Sequence, residues 1–239
     1  CFDCGVAPGL GGGAFVTSFS SPVSGPSSAV VDARGEWLFV TNEYSNNVVV
    51  RSTRTGQTLE PIRVGAGPRG IALSKDGRRA YVYNAIDHTV SVLEGQNGMI
   101  SVTREIVVGR SNLTPQQELG RRLFFSATDA RMTSANTNPA NGISCASCHP
   151  AGREDGRTWR FSEGARNTPT LAGRRLASTA PYHWDGLLED MHAFRLVVEE
   201  RMGGVGSGGH ERVDPSVEPL SAADFNAMMA FLDSQPDPE

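Results

Sequence analysis

Polar and apolar positions alternate with a period of two through the first half of the chain and recur at helical spacing in the second. Val31-Asp32-Ala33-Arg34-Gly35-Glu36-Trp37-Leu38-Phe39-Val40-Thr41-Asn42 lays over Leu73-Ser74-Lys75-Asp76-Gly77-Arg78-Arg79-Ala80-Tyr81-Val82-Tyr83-Asn84. The turn glycine, the apolar run and the closing asparagine coincide at a period of 42 residues, from Gly35 to Gly77. Downstream, Asn47-Val48-Val49-Val50 matches Thr89-Val90-Ser91-Val92, and Val64-Gly65 matches Val108-Gly109. Short alternating runs separated by Asp/Gly or Asn turns predict strands, and a repeat of this length predicts one four-stranded propeller blade per unit. Residues 27–110 are therefore expected to form two blades, behind a glycine- and serine-rich lead over 1–26. Asp87-His88 falls in the turn before a strand and reads as a solvated turn, not an acid/base pair.

From residue 111 the period changes. Thr114-Pro115-Gln116-Gln117 has the marks of a helix start: a hydroxyl cap, proline at the first helical position and glutamine three residues after the cap. Leu119, Leu123 and Phe124 then line one face. Thr133 to Asn141, rich in Ser, Asn and Thr, predicts a surface loop. Leu187, Met191, Phe194, Val198 and Met202 follow one another at helical spacing and predict one apolar stripe on a helix that ends at Gly203-Gly204. Ser221 caps a last helix, along which Phe225, Met228, Met229 and Leu232 recur before Pro236 stops it.

Composition sets limits on partners and compartment. The 239 residues suit one large or two modest domains, and a hydrophobic content of 38% suffices for a real core. No apolar run approaches the ~20 residues a membrane helix needs. A net charge of -4 and the lack of a Lys/Arg cluster argue against nucleic acid as a partner. Cys1 and Cys4 form one CxxC followed by Gly5, which reads as a local disulfide or plain thiols. A lipid on Cys1 is the one route by which the sequence suggests membrane contact.

The chemistry gathers at Ser144-Cys145-Ala146-Ser147-Cys148-His149-Pro150. Two cysteines separated by two residues and followed at once by histidine allow two thioether bonds to haem vinyl groups, while the adjacent imidazole reaches the iron. Both sulfurs and the ring nitrogen must meet one rigid porphyrin from a single short turn, which another spacing would prevent. The alternatives for a CxxC are a structural zinc half-site and a redox dithiol, but zinc needs two more ligands, and the other cysteines lie far off at Cys1 and Cys4. The expected cofactor is one covalent haem c with its iron. Attachment of this kind is normally completed outside the cytoplasm, so a periplasmic or otherwise extracytoplasmic location follows. The expected fold class is mixed: two antiparallel β-propeller-like blades followed by an all-α cytochrome c-type haem domain over 111–239.

Two resemblances add to this. Phe39-Val40-Thr41-Asn42, Tyr81-Val82-Tyr83-Asn84 and Gly67-Pro68-Arg69-Gly70-Ile71-Ala72 resemble the YVTN family of bacterial β-propellers, from about Ser27 to Gly109. A closed propeller takes about 4 to 8 blades and two are counted here, so the resemblance implies a longer polypeptide or another chain that completes the ring. In the second half, Leu119-Gly120-Arg121-Arg122-Leu123-Phe124-Phe125, the CxxCH itself, Gly164-Ala165-Arg166-Asn167-Thr168-Pro169-Thr170-Leu171 and Thr179-Ala180-Pro181-Tyr182-His183-Trp184-Asp185-Gly186 are similar in order and spacing to a domain of the bacterial di-haem cytochrome c peroxidase/MauG family. Members of that family use two haems, and this chain has one CxxCH. The family resemblance makes Glu200, or equally Glu199, the match for an acid near a reactive haem. A distal histidine found in some relatives is replaced here by Gly156-Arg157-Thr158-Trp159-Arg160.

The second axial position decides between carrying electrons and doing chemistry. Met202 is the first candidate, because its stripe must face something apolar and haem is the largest apolar object expected. His183 is the alternative, while His192, off the stripe, and His210, in a glycine-rich loop, are expected to be exposed. Met228 and Met229 read as core. Arg166 and Arg174 are candidates for pairing with haem propionates, and Trp184 for the cofactor's surroundings. Three functions follow from different classes: an electron-carrying c-type cytochrome unit with a redox protein partner; a peroxidase/MauG-type enzyme with a second haem from another subunit or missing sequence; and a mainly structural subunit of a larger complex.

Overall fold

The structure, a computed structural model, describes residues 22–96, 99–133, 142–161, 164–173, 176–198, 202 and 217–236. The chain forms two compact units and passes from one to the other between Ser111 and Asn112.

The first unit consists of two four-stranded antiparallel sheets, each a meander of the kind that forms one propeller blade. The first runs β1 (Pro26–Val31), β2 (Trp37–Asn42), β3 (Asn47–Ser52), β4 (Ile62–Arg63); the second β5 (Pro68–Leu73), β6 (Arg79–Asn84), β7 (Thr89–Gln96), β8 (Met99–Val107). The repeat is visible in the turns. Asp32 accepts the N–H groups of Glu36 and Trp37 at 2.7 and 2.8 Å, closing the β1–β2 turn around Gly35, whose φ of 72° is one that side chains disfavour. One period later Gly77 has φ 66° and Ser74 Oγ accepts the Arg79 N–H at 3.0 Å. Asn46 and His88, also one period apart, both stand at φ 54°. Asp87 Oδ2 accepts the Ala66 N–H at 2.6 Å, so the Asp87-His88 pair closes a turn.

Successive side chains on a strand point to opposite faces, and the two sheets share one core through opposite faces of the repeat. The first sheet contributes Trp37, Phe39, Val48 and Val50; the second contributes Ala80, Val82 and Leu93. Phe39 is 1% exposed, whereas Tyr81, its counterpart one repeat on, is 36% exposed, and Tyr83 is 42% exposed where Thr41 is fully buried. The first sheet's packing face is thus covered by the second, and the second sheet's equivalent face is open.

The second unit contains α1 (Pro115–Phe125), α2 (Cys145–Cys148), the hairpin β9 (Thr158–Phe161) and β10 (Gly164–Asn167), α3 (Arg195–Val197) and α4 (Ala222–Asp233). The expected all-α haem domain is not what forms. Thr158-Trp159-Arg160-Phe161 pairs antiparallel with Gly164–Asn167, and much of the remainder is 3₁₀ turn and irregular chain, so the described residues as a whole are richer in strand than in helix. The expected helix from Leu187 to Met202 starts later than its spacing suggests: Met191 to Val198 and Met202 are helical, Met191, Phe194, Val198 and Met202 share one apolar cluster, and Leu187 is not part of it. Asp190 accepts the Ala193 N–H at 2.9 Å and starts a short 3₁₀ turn at Met191, which leads into the three-residue α3, while Leu187 stays outside it and 76% exposed.

Two longer helices frame this unit. Thr114 and Gln117 cap α1 reciprocally, and Ser221 and Asp224 do the same for α4. The buried face of α1 is Gly120, Leu123, Phe124 and Phe125, with Leu119 exposed, so it is turned from the expected one. Gly120 is the reason. A Cβ at that position would lie 1.9 Å from the Ala227 carbonyl oxygen of α4, and only a residue without one lets the two backbones approach so closely. Phe124, Phe125 and Phe231 meet beside this crossing with ring centroids 5.4 to 6.1 Å apart. Among the described residues no helix is long and apolar enough to cross a membrane.

Candidate functional site

The segment from Ser144 to Pro150 presents three side chains from one short turn. Ser144 is buried and extended, and its N–H donates to Ser147 Oγ at 3.0 Å, which starts α2. The His149 N–H donates to the Cys145 carbonyl at 2.9 Å and ends it. The chain then reverses through Ala151 and Gly152 at φ 53° and 76°. A side chain at Gly152 would stand 3.2 Å from Leu232 of α4 and 3.4 Å from Ala172, so glycine lets the motif lie against the closing helix.

Cys145 and Cys148 are both free thiols. Cys145 packs against the apolar cluster of Leu123, Met132, Val198, Leu220, Phe225 and Met228. Burial pushes its thiol up to about 12, and burial with the nearby Asp155 carboxylate also raises that of Cys148. His149 Nδ1 lies 2.9 Å from the Pro169 carbonyl oxygen. A carbonyl only accepts, so Nδ1 carries the proton and Nε2 keeps the lone pair. Burial lowers the pKa of His149, outweighing the Pro169 carbonyl and Asp155, which act in the opposite direction. The ring is thereby held neutral, as a metal-binding imidazole must be.

This set fits a covalently attached haem. Two thiols sit on one helical turn and the imidazole that follows has its second nitrogen oriented by a backbone carbonyl, the outer-shell bond that fixes a ligating histidine. Among the described residues no group of three or more His, Cys, Asp or Glu side chains is placed to hold a bare metal ion.

The other predicted residues are dispersed. Met202 packs on the same apolar cluster as Cys145, together with Met191 and Phe194. His183, at φ 72°, has Nδ1 3.3 Å from Asp185 and its ring 4.4 Å from that of Trp184. Trp184 donates from Nε1 to the Asn167 carbonyl at 2.9 Å and stacks on Phe161 at 5.1 Å. Arg166 lies on β10 with Nη1 bonded to the Ala165 carbonyl at 2.9 Å. Met228 is core, as read. His192 is not the exposed residue expected: it is half-buried, edge-on to Phe225 at 5.9 Å, with Nδ1 buried and without a partner. Cys1, Cys4, Arg174, Glu199, Glu200 and His210 lie outside the described residues. Pro169, which orients His149, carries no spacing signal of that role, although it lies within Arg166-Asn167-Thr168-Pro169-Thr170.

Blade-like sheets followed by a unit carrying a CxxCH define the chain. No family model matches its sequence, and no curated protein does. Among solved structures it is similar to hydrazine synthase of Kuenenia stuttgartiensis, at 28% identity and a TM-score of 0.35 over 41% of this chain and 26% of that one. It is similar also to a periplasmic gluconolactonase of Pseudomonas aeruginosa, at 22% identity and a TM-score of 0.31 over 37% and 28%. A third likeness is to a protein of unknown function from Desulfotomaculum acetoxidans, at 23% identity and a TM-score of 0.31 over 35% and 28%. The matched part of the chain spans about a quarter of the length of each.

Proposed function

We propose that this chain is an extracytoplasmic electron-transfer protein that binds one haem c through Cys145 and Cys148, with His149 as an axial ligand. The observation that carries the reading is the 2.9 Å contact between His149 Nδ1 and the Pro169 carbonyl, immediately after a one-turn helix bearing two free thiols. A haem so held supplies a reversible one-electron couple. Around it, the chain's own residues have distinct tasks. The two thiols would anchor the group as thioethers by adding across its vinyl groups, Pro169 holds the imidazole in one tautomer, and the cluster of Leu123, Phe225 and Met228 keeps water from the Cys145 side. Met202, on that same cluster, is the candidate for a second protein ligand that would hold the group.

The four motifs shared with the di-haem peroxidase/MauG family support a kinship with it. One CxxCH, and a β-strand at 158–161 where some relatives carry a distal histidine, favour a carrier over an enzyme. The open Tyr81/Tyr83 face supports a larger assembly, in which further blades come from a longer polypeptide or another chain, with a redox protein as the electron partner.

The test is expression with a cytochrome c maturation system, followed by mass spectrometry under denaturing conditions. One haem is expected to stay on the unfolded chain and to disappear in the double variant Cys145→Ala/Cys148→Ala. An unmodified chain from a competent host overturns the haem reading. Rapid peroxide consumption by the haem-loaded protein overturns the carrier reading and leaves the enzymatic one.

A further inference from the structure

Resting on the haem reading, we propose that His192 and Arg195 are a carboxylate-binding pair that holds the propionates of the bound haem. Two buried nitrogens carry this inference. His192 Nδ1 and Arg195 Nε are both shut off from water, and neither has a hydrogen-bond partner among the described residues. Buried polar groups are nearly always paired, because an unpaired one forfeits its solvation with nothing in return. A guanidinium stays charged and only donates, so what Arg195 lacks is an acceptor. Among the described residues no carboxylate forms an ion pair with it.

Both nitrogens belong to one turn of chain. Asp190 starts it by accepting the Ala193 N–H, and the 3₁₀ turn Met191–Phe194 runs directly into α3. Residues three apart on such a turn lie on one side of it, which puts His192 beside Arg195. Met191 and Phe194, also three apart, pack against the apolar cluster that includes Cys145. The His192 ring stands edge-on to Phe225 of that cluster, with centroids 5.9 Å apart. The pair therefore borders the apolar wall on which the first cysteine of the motif lies. Haem has the complementary layout, a wide apolar macrocycle with two carboxylates on one edge. Its apolar part suits the cluster, and its carboxylates are the acceptors that Nδ1 and Nε lack, in charge-assisted bonds of the stronger kind. Arg166 is less suited to this task, since it lies on β10 with Nη1 bonded to the Ala165 carbonyl at 2.9 Å.

The experiment titrates the haem-free chain with iron mesoporphyrin and with its dimethyl ester, reading binding by absorbance. Mesoporphyrin has ethyl groups where haem has vinyls, so neither compound is captured as a thioether, and the ester has no free carboxylate. Wild type is expected to bind the free acid about tenfold more tightly than the ester, as hydrogen bonds to charged groups allow. Arg195→Met and His192→Phe, which keep the bulk of each side chain, should each lose most of that preference. Arg195→Lys should retain part of it, and Arg166→Met all of it. Equal affinity of wild type for acid and ester overturns the proposal while the haem reading stands, and this comparison needs no variant to fold. A preference that survives in both Arg195→Met and His192→Phe also overturns it, as does a preference lost in Arg166→Met alone. Binding of neither compound to wild type overturns the haem reading and the proposal with it.

Discussion

Replacing Gly120 by alanine tests the crossing of α1 and α4 with opposite expectations for its sign. Helix propensity alone favours the change by about 1 kcal/mol, since glycine is the weaker helix former in a helix interior. The structure says otherwise. The new Cβ would meet the Ala227 carbonyl oxygen at 1.9 Å, the Ala227 carbonyl carbon at 2.4 Å and the Met228 nitrogen at 2.8 Å. All three are backbone atoms of α4, so no side chain can rotate aside, and the helices must part by about 1 Å. A gap of that size forfeits roughly a quarter to a half of the dispersion attraction at each separated contact, and overpacked cores lose about 1–3 kcal/mol. The contacts at risk are those of Phe124, Phe125 and Phe231 beside the crossing. With backbone as the obstacle the upper end applies, and after the propensity gain a net loss of about 2 kcal/mol remains. Native-state hydrogen exchange of the α1 and α4 amides reads this locally, without interference from the first unit. At about 1.4 kcal/mol per factor of ten, protection should fall roughly thirtyfold. Protection equal to wild type, or higher as propensity alone requires, would refute the close crossing.

Three further outcomes follow from burial. In the haem-free chain the Cys145 thiol titrates at about 12 instead of 9.0, so at pH 8 about one thiol in ten thousand is the reactive thiolate. Alkylation followed by peptide mass spectrometry should find Cys145 protected until the chain is denatured, and equal labelling in folded and unfolded protein contradicts this. The fold also holds that proton more tightly than the unfolded chain does, so stability is retained below pH 9 and falls as pH rises from there towards 12. In the first unit, Phe39→Ala should cost about 3–5 kcal/mol, as expected for a buried aromatic, whereas the double change Tyr81→Thr/Tyr83→Thr at the equivalent face should stay within about 0.5 kcal/mol per site. Urea unfolding of the two variants makes the comparison, and similar losses in both refute the assignment of covered and open faces.

The first unit was legible because its determinants are local. Gly35 and Gly77 must adopt a left-handed conformation to turn the chain, and apolar alternation over six residues states which side of a strand is buried. What alternation cannot state is whether a given face has a neighbour: Phe39 and Tyr81 occupy the same place in the repeat, and only the stacking of one sheet on the next tells them apart. The second unit failed where the signals were short or shared. Thr158 to Phe161 is only four residues long, too short for its alternation to mark a strand. The stripe from Leu187 to Met202 had helical spacing but also Asp190, whose side chain caps the turn at Met191 and cuts Leu187 away.

At the site the same distinction holds with a chemical consequence. Cys145, Cys148 and His149 declare themselves because the distances among them are set by covalent chemistry within one turn. Their support comes from a residue that no spacing rule connects to them: Pro169 stands 20 positions beyond His149. A haem motif without that carbonyl would leave Nδ1 to water, the tautomer unspecified and the ring free to rotate. The motif therefore brings three side chains together, but the tautomer and orientation of its imidazole belong to a loop 20 residues away, tied down by Thr158, Trp184 and Gly152. On the proposed haem reading, variation at these three positions with CxxCH unchanged is where differences in reduction potential between such units should be sought, because each anchors the loop that carries the Pro169 oxygen.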